Sequence, residues 1–253
     1  MGAGWRVGTS GWVYQGWRGV FYPADLPQNR WYAHYAQDFD TTEINYSFYR
    51  LPSEATFERW RNQAPPGFAY SVKANRYLTH LKRLKDAADA LERFLGRVRL
   101  LGDTLGPILW QLPPRFPADA ARLANFAGLL PREMTHVFEF RDPRWFIPSV
   151  RSVLEQAHFS FCISDMPDLA CPLWVTSKTV YMRFHGSGVV YGGLYGPGGL
   201  EKWAQHIRGW SCEDRAVYAY FNNDAFGFAV EDARTLKRML GDVRSPSPRE
   251  ADR

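Results

Sequence analysis

Two glutamates, a lysine, two arginines and a histidine stand at matching places in this sequence, each at or near the end of a short apolar run. Glu43 lies in "TEINYSF", Lys73 in "YSVKAN", Glu139 and Arg141 in "VFEFRD", and Arg183 and His185 in "YMRFHG". Asn45, Gln111 (in "ILWQL") and Asn222 (in "YAYFNND") add amides to the set. These types suit acid–base chemistry. Neighbouring carboxylates push their pKa values apart, so Glu43 and Glu139 are candidates for a general acid and base. Lys73 is a nucleophile if its pKa is depressed, and otherwise a counter-ion to a glutamate. Lys73, Arg141 and Arg183 are expected to hold an anion, because guanidinium groups favour phosphate and carboxylate oxygens. His185 joins the catalytic set and, with Asn222, orients the ligand. The alternative is a structural network in which these charges pair only with one another.

Such residues meet only if the elements carrying them are arranged around one point. The same rhythm recurs at "VGTS" (Val7), "FCISD" (Phe161) and the other runs, and most are followed by a helical period. Strands alternating with helices specify a parallel sheet. Eight such units fit an α/β single (β/α)8 TIM-type barrel, whose active sites lie at the C-terminal ends of the strands. The predicted barrel spans residues 1–242, and 243–253 read as a polar, disordered tail.

Alternation along the strands sorts the side chains. Ile44, Tyr46, Tyr70, Val72, Ala74, Phe138, Phe140, Met182 and Phe184 are expected outside, against helices. Glu43, Asn45, Ser71, Lys73, Asn75, Glu139, Arg141, Arg183 and His185 are expected inside. Strands one, six and eight are not sorted by this test. The pattern predicts that Glu43, Lys73, Glu139 and Arg183 converge at one end. It also predicts that the helix between strands six and seven is absent or rudimentary, because Pro167 and Pro172 interrupt a stretch with no helical period.

Further features bear on the ligand. Arg76, His80, Lys82, Arg83 and Lys85 follow strand three, and "SGVVYGGLYGPGG" follows strand seven, where barrels often cradle phosphate at a helix start. Trp12 belongs to an aromatic-rich loop and is a candidate for stacking on a sugar or base; such rings also build satellite cores under long loops. The leading reading is an enzyme acting on a small anionic substrate that bears phosphate or carboxylate, its reaction class (hydrolase, lyase or isomerase) left open. The second is a barrel that binds DNA or RNA or cleaves phosphodiesters. The third is a non-catalytic binding barrel. No cofactor is expected. Of six histidines only His185 falls at a strand C-terminus, so a multi-zinc site is not predicted; a single divalent ion on Glu43, Glu139, Asp165 or His185 is the lesser option.

Composition bounds the rest. One barrel accounts for 253 residues, and 45% hydrophobic with 23% charged residues is ordinary for a globular chain. The net charge of +5 permits an anionic partner without demanding one. Cys162, Cys171 and Cys212 form no CxxC pair, which points to a reducing, cytoplasmic setting. No apolar signal core opens the sequence and no run is long enough to cross a bilayer. Oligomeric state is not legible.

Longer segments carry a resemblance. "VGTSGW" at Val7, "FDTTEINYSFYRLPS" at Phe39, "FAYSVKA" at Phe68, "LGPILWQLPPRF" at Leu105, "FEFRDPRWF" at Phe138, "YMRFHG" at Tyr181 and "YAYFNND" at Tyr218 resemble the domain-of-unknown-function-72 (YecE-like) family. The likeness runs from the first strand to the last helix and implies a TIM-type barrel. It brings no assigned reaction. Barrels of similar shape include sugar isomerases and apurinic endonucleases, an analogy of fold alone.

Overall fold

The computed structural model describes residues 4–241. The expected tail, 243–253, lies outside the described residues. Among the described residues eight parallel strands form one sheet: β1 (Gly4–Thr9), β2 (Thr41–Ile44), β3 (Ala69–Lys73), β4 (Leu105–Gln111), β5 (His136–Glu139), β6 (Ser160–Asp165), β7 (Thr179–Phe184) and β8 (Ala216–Phe221). Their order is β1-β8-β7-β6-β5-β4-β3-β2, the cyclic order of a TIM-type barrel. Helices α1 (Trp31–Asp38), α2 (Tyr46–Tyr49), α3 (Glu54–Gln63), α4 (Ala88–Arg99), α5 (Ala120–Ala127), α6 (Pro148–Ala157), α7 (Gly196–Cys212) and α8 (Phe228–Leu240) lie between and after the strands. Between β6 and β7 there is no helix, as the prolines imply.

Two hydrophobic cores follow from the alternation. The outer one packs strand residues such as Tyr70, Val72, Trp110, Phe138, Met182 and Phe184 against the helices. The inner one fills the barrel with Ala69, Leu109, Val137, Cys162, Tyr181, Tyr218 and Tyr220. On β8 the tyrosines therefore point inward and Val217, Ala219 and Phe221 outward, which the sequence left open. The buried Tyr220 hydroxyl meets Thr41 Oγ1 at 2.6 Å and Ser71 Oγ at 2.8 Å. Burial holds the Cys162 thiol well above its usual pKa, so it is an inert core residue.

Closure between β1 and β2 uses side chains in place of a backbone ladder. The Tyr35 hydroxyl of α1 accepts from Thr9 N at 3.0 Å and donates to Thr41 O at 3.0 Å. Thr42 Oγ1 donates to Thr9 O at 3.0 Å. Gly8 permits this approach, because a Cβ there would lie 2.3 Å from Thr41 O. Tyr35→Phe leaves a buried amide and a buried carbonyl unpaired. The expected loss is about 1–3 kcal/mol, read in thermal unfolding as a drop of roughly 2–4 °C per kcal/mol for a domain of this size. An unchanged melting temperature would show that the seam does not depend on Tyr35.

Candidate active site

Arg183, on β7, lies inside the barrel at the C-terminal end and is 1% exposed. Its Nη1 donates to Glu139 Oε2 at 2.8 Å and its Nη2 to Glu43 Oε1 at 2.8 Å. One guanidinium thus bridges carboxylates from β2 and β5, a planar donor set matched to two acceptors. Glu43 also accepts from Ser10 Oγ at 2.8 Å and from the Tyr181 hydroxyl at 2.6 Å. Glu139 Oε1 accepts from Ser164 Oγ at 3.1 Å and pairs with Arg141 Nε at 2.5 Å. Burial alone would raise both glutamates; Arg183, with Lys73 and Tyr181, overrides it at Glu43, and Arg141 and Arg183 hold Glu139 well below the usual carboxylate range. Both are ionised at neutral pH with their oxygens occupied.

Four predicted residues, Glu43, Lys73, Glu139 and Arg183, therefore converge as alternation requires, but their roles change. The glutamates do not form an acid–base pair with one proton between them, because each faces a guanidinium rather than the other. Arg183 is not open to an external anion, because both its terminal nitrogens lie on carboxylates beneath the mouth.

Above this platform sit the remaining groups. Arg141 Nη2 donates to His185 Nε2 at 2.9 Å, and a guanidinium can only donate, so this nitrogen is the acceptor of a neutral ring. Asn222 lies 3.2 Å from His185 Nδ1. Burial, chiefly, holds the His185 pKa down at about 3. Lys73 ends β3 with Nζ 4.2 Å from the centre of the Phe48 ring. Among the described residues no carboxylate reaches it within ion-pair distance. Burial first, and Arg183 next, push its pKa down to about 7. Gln111 follows on β4, two residues beyond the partner of Lys73, in register with Glu139.

Other expectations need correction. Trp12 is not brought to this cluster: its ring packs on Tyr32, Trp60 and Tyr70 at 5.5, 6.0 and 6.3 Å, within the outer aromatic layer. Asn45 has left the strand, taking a helical conformation at the start of α2, so alternation does not place it; its Oδ1 is buried without a protein partner. Asn75 braces the backbone, donating to Ser47 O at 2.9 Å and accepting from Tyr77 N at 2.9 Å. Arg76 is exposed on the rim, at the head of the turn Tyr77–Leu81. The glycine-rich loop does not offer its first helix amides, because the Asp232 carboxylate from α8 accepts from Tyr195 N at 3.0 Å and Gly196 N at 2.9 Å. Among the described residues no group of three His, Cys, Asp or Glu is placed to hold a metal ion.

Sequence reasoning missed Ser10, Tyr181 and Ser164 as site residues, and placed His80 only among the cations that follow strand three. Tyr181 was within reach, since it shares the inward period of Arg183 and His185. Ser10 lies just past the end of β1 and Ser164 on β6, two strands that alternation did not sort.

The family model described as a protein of unknown function, DUF72, matches residues 6–252. The chain belongs to the DUF72 family. This DUF72 protein is 23% identical to the UPF0759 protein YunF of Bacillus subtilis, over 97% of this chain and 98% of the relative. A DUF72 family crystal structure from Thermotoga maritima superposes with a TM-score of 0.85 at 27% identity, covering 93% of this chain and 98% of that one. A second, from Enterococcus faecalis, shares the fold with a TM-score of 0.81 at 18% identity, covering 93% and 95%. No described helix is long and apolar enough to cross a membrane.

The bridge predicts a specific stability pattern. Carboxylates held low stabilise the fold above their unfolded pKa, and that contribution is lost as the pH falls through their folded values. Arg183→Ala leaves the buried Glu43 without a guanidinium and Glu139 with Arg141 alone, an expected cost of about 3–5 kcal/mol in urea unfolding. The deficit relative to the parent should shrink as the pH is lowered and the carboxylates take up protons. A deficit below about 1 kcal/mol, typical of exposed pairs, would show that the bridge is not what holds the interior.

Proposed function

We propose that this DUF72 protein is an enzyme that transfers protons on a small anionic substrate at the C-terminal face of its barrel. The observation that carries this reading is Lys73. Glu43 and Glu139 are matched in charge by Arg183 and Arg141, whereas Lys73 adds a cation that has no carboxylate at ion-pair distance among the described residues. With its pKa at about 7 it exchanges protons near neutrality, which suits a general acid–base group better than either ionised glutamate. The reacting part of the substrate lies against Lys73, His185 and Gln111. Its phosphate or carboxylate meets Arg76 on the rim. Inorganic phosphate, a phosphosugar and a dicarboxylate at low salt form the test. Saturation at about a hundred times Kd stabilises by about 2.7 kcal/mol, a rise of roughly 5–10 °C at this size. Arg76→Ala should abolish the rise with little change in the ligand-free melting temperature, because an exposed substitution shifts stability by only about 0.5 kcal/mol. If none of the three compounds moves the transition, the anion reading fails.

A second reading, binding of single-stranded nucleic acid, has its own supporting observation. Tyr46, Tyr49 and Tyr77 are 57%, 70% and 44% exposed beside the mouth. A surface cleft next to them is lined by Tyr46, Arg50, Thr56, Arg93 and Arg97. Exposed rings stack on bases while cations follow the phosphates. Anisotropy with a labelled oligonucleotide should then show log K falling with log salt at a slope of about −0.7 per phosphate contact. Tyr49→Ala should weaken binding at every salt concentration. Absence of binding at low salt removes this reading.

A further inference from the structure

We infer that Lys73 is a covalent catalytic amine: its Nζ condenses with the carbonyl group of an aldehyde, ketone or oxo-acid substrate to form an imine. This deepens the proposed reading of the barrel mouth as a site and names the reacting group of the substrate.

The placement favours it. Lys73 stands at the C-terminal end of β3, paired in register with Leu109 on β4, on the inward face of the barrel. A lysine acting as a structural counter-ion would rest on a carboxylate, and both carboxylates beneath it are taken by Arg183 and Arg141. Its amine instead lies over the Phe48 ring at 4.2 Å. Charged and titratable groups face it from several elements: Arg183 on β7, Glu139 on β5, Arg141 just after it, Glu43 on β2, and His80 in the turn that follows β3. Burial and the two arginines favour the neutral amine, and the two glutamates oppose them. The balance leaves a substantial fraction of free amine at neutral pH, the form that attacks a carbonyl.

Proton acceptors accompany it. His80 is held neutral, its pKa pushed down to about 4 by burial and then by Lys73. Its ring lies edge-on to Phe48, with centres 4.9 Å apart. His185 is neutral as well. In the step, the Nζ lone pair forms a bond to the carbonyl carbon while the C=O π pair moves to oxygen. Nitrogen loses a proton to an imidazole or water and the oxygen gains one. The carbinolamine then expels its hydroxyl as water, leaving C=N. One amine and one carbonyl give one imine and one water, and nothing is oxidised or reduced.

The test is trapping with borohydride, which adds hydride to the imine carbon and leaves a stable secondary amine. The full chain is incubated at pH 7 with glycolaldehyde, with pyruvate, or with glyceraldehyde 3-phosphate, then reduced and mapped by peptide mass spectrometry. The expected product is one adduct, on Lys73, heavier by the carbonyl compound less one oxygen atom. Labelling of Lys73 should exceed that of Lys82, Lys85 and Lys202 by about tenfold or more, since an ordinary lysine is almost wholly protonated at this pH. Its yield should rise with pH to half its maximum near the value of about 7. Lys73→Arg and Lys73→Met should lose the adduct. The mapping on the parent chain decides the matter even if a variant fails to fold. Adducts spread over the surface lysines according to exposure, or no adduct on Lys73 with any of the three compounds, would overturn the inference. The two readings fail separately. Trapping with glycolaldehyde alone, without a thermal shift by anions, removes the anionic substrate and keeps the amine. A thermal shift without any trapping does the reverse.

Discussion

The interior of this barrel turns on one guanidinium. Arg183 is fully buried, and an arginine does not escape burial by losing its proton. It must be matched, and Glu43 and Glu139 match it from strands on two other sides of the barrel. Each carboxylate then needs its remaining lone pairs filled, which fixes Ser10, Tyr181, Ser164 and Arg141 around them. A half-satisfied network of this kind costs more than an apolar core. The sequence of hydroxyls, carboxylates and guanidinium groups across five strands is therefore one unit, and the mouth above it inherits its charge.

That inheritance changes what the two glutamates can do. A pair of carboxylates at the ends of barrel strands suggests two groups with separated pKa values. Once both are neutralised by arginine, neither has a proton to give near neutral pH. Lys73, with no carboxylate at ion-pair distance among the described residues, has its pKa pushed down to about 7 by burial and then by Arg183. The same six residue types support either arrangement, and only the partner of each decides between them.

The inward residues were legible because the outer face packs on helices, so near the C-terminal ends of β2, β3, β5 and β7 a polar residue stands beside an apolar one: Glu43 by Ile44, Lys73 by Val72, Glu139 by Phe138 and Arg183 by Phe184. β8 was not, since tyrosine suits either face when its hydroxyl finds a partner, as Tyr220 does with Thr41 and Ser71. Asn45 was misplaced because α2 begins where the strand ends, and the period changes there. Trp12 was misplaced because a ring in a cleft and a ring in a satellite core look the same in sequence. The Asp232 cap on α7 joins residues more than thirty positions apart, and no local pattern announces it. The pairing of the two terminal nitrogens of Arg183 with Glu43 and Glu139 is long-range in the same way.

The order of the sheet carries a consequence for how the chain is made. Among the described residues, β1 forms a backbone ladder only with β8, Gly4 facing Ala216 and Thr9 facing Phe221. The first of the eight described strands to be made thus finds its ladder partner only when the last of them has been synthesised. In the folded barrel the Tyr35 hydroxyl and Thr42 fasten β1 to its other neighbour. Any sheet formed before β8 is made has open edges, the condition in which strands pair with the wrong molecule. Among the described residues, the side-chain fastening at the β1–β2 seam thus stands where a backbone ladder stands at every other seam of the barrel.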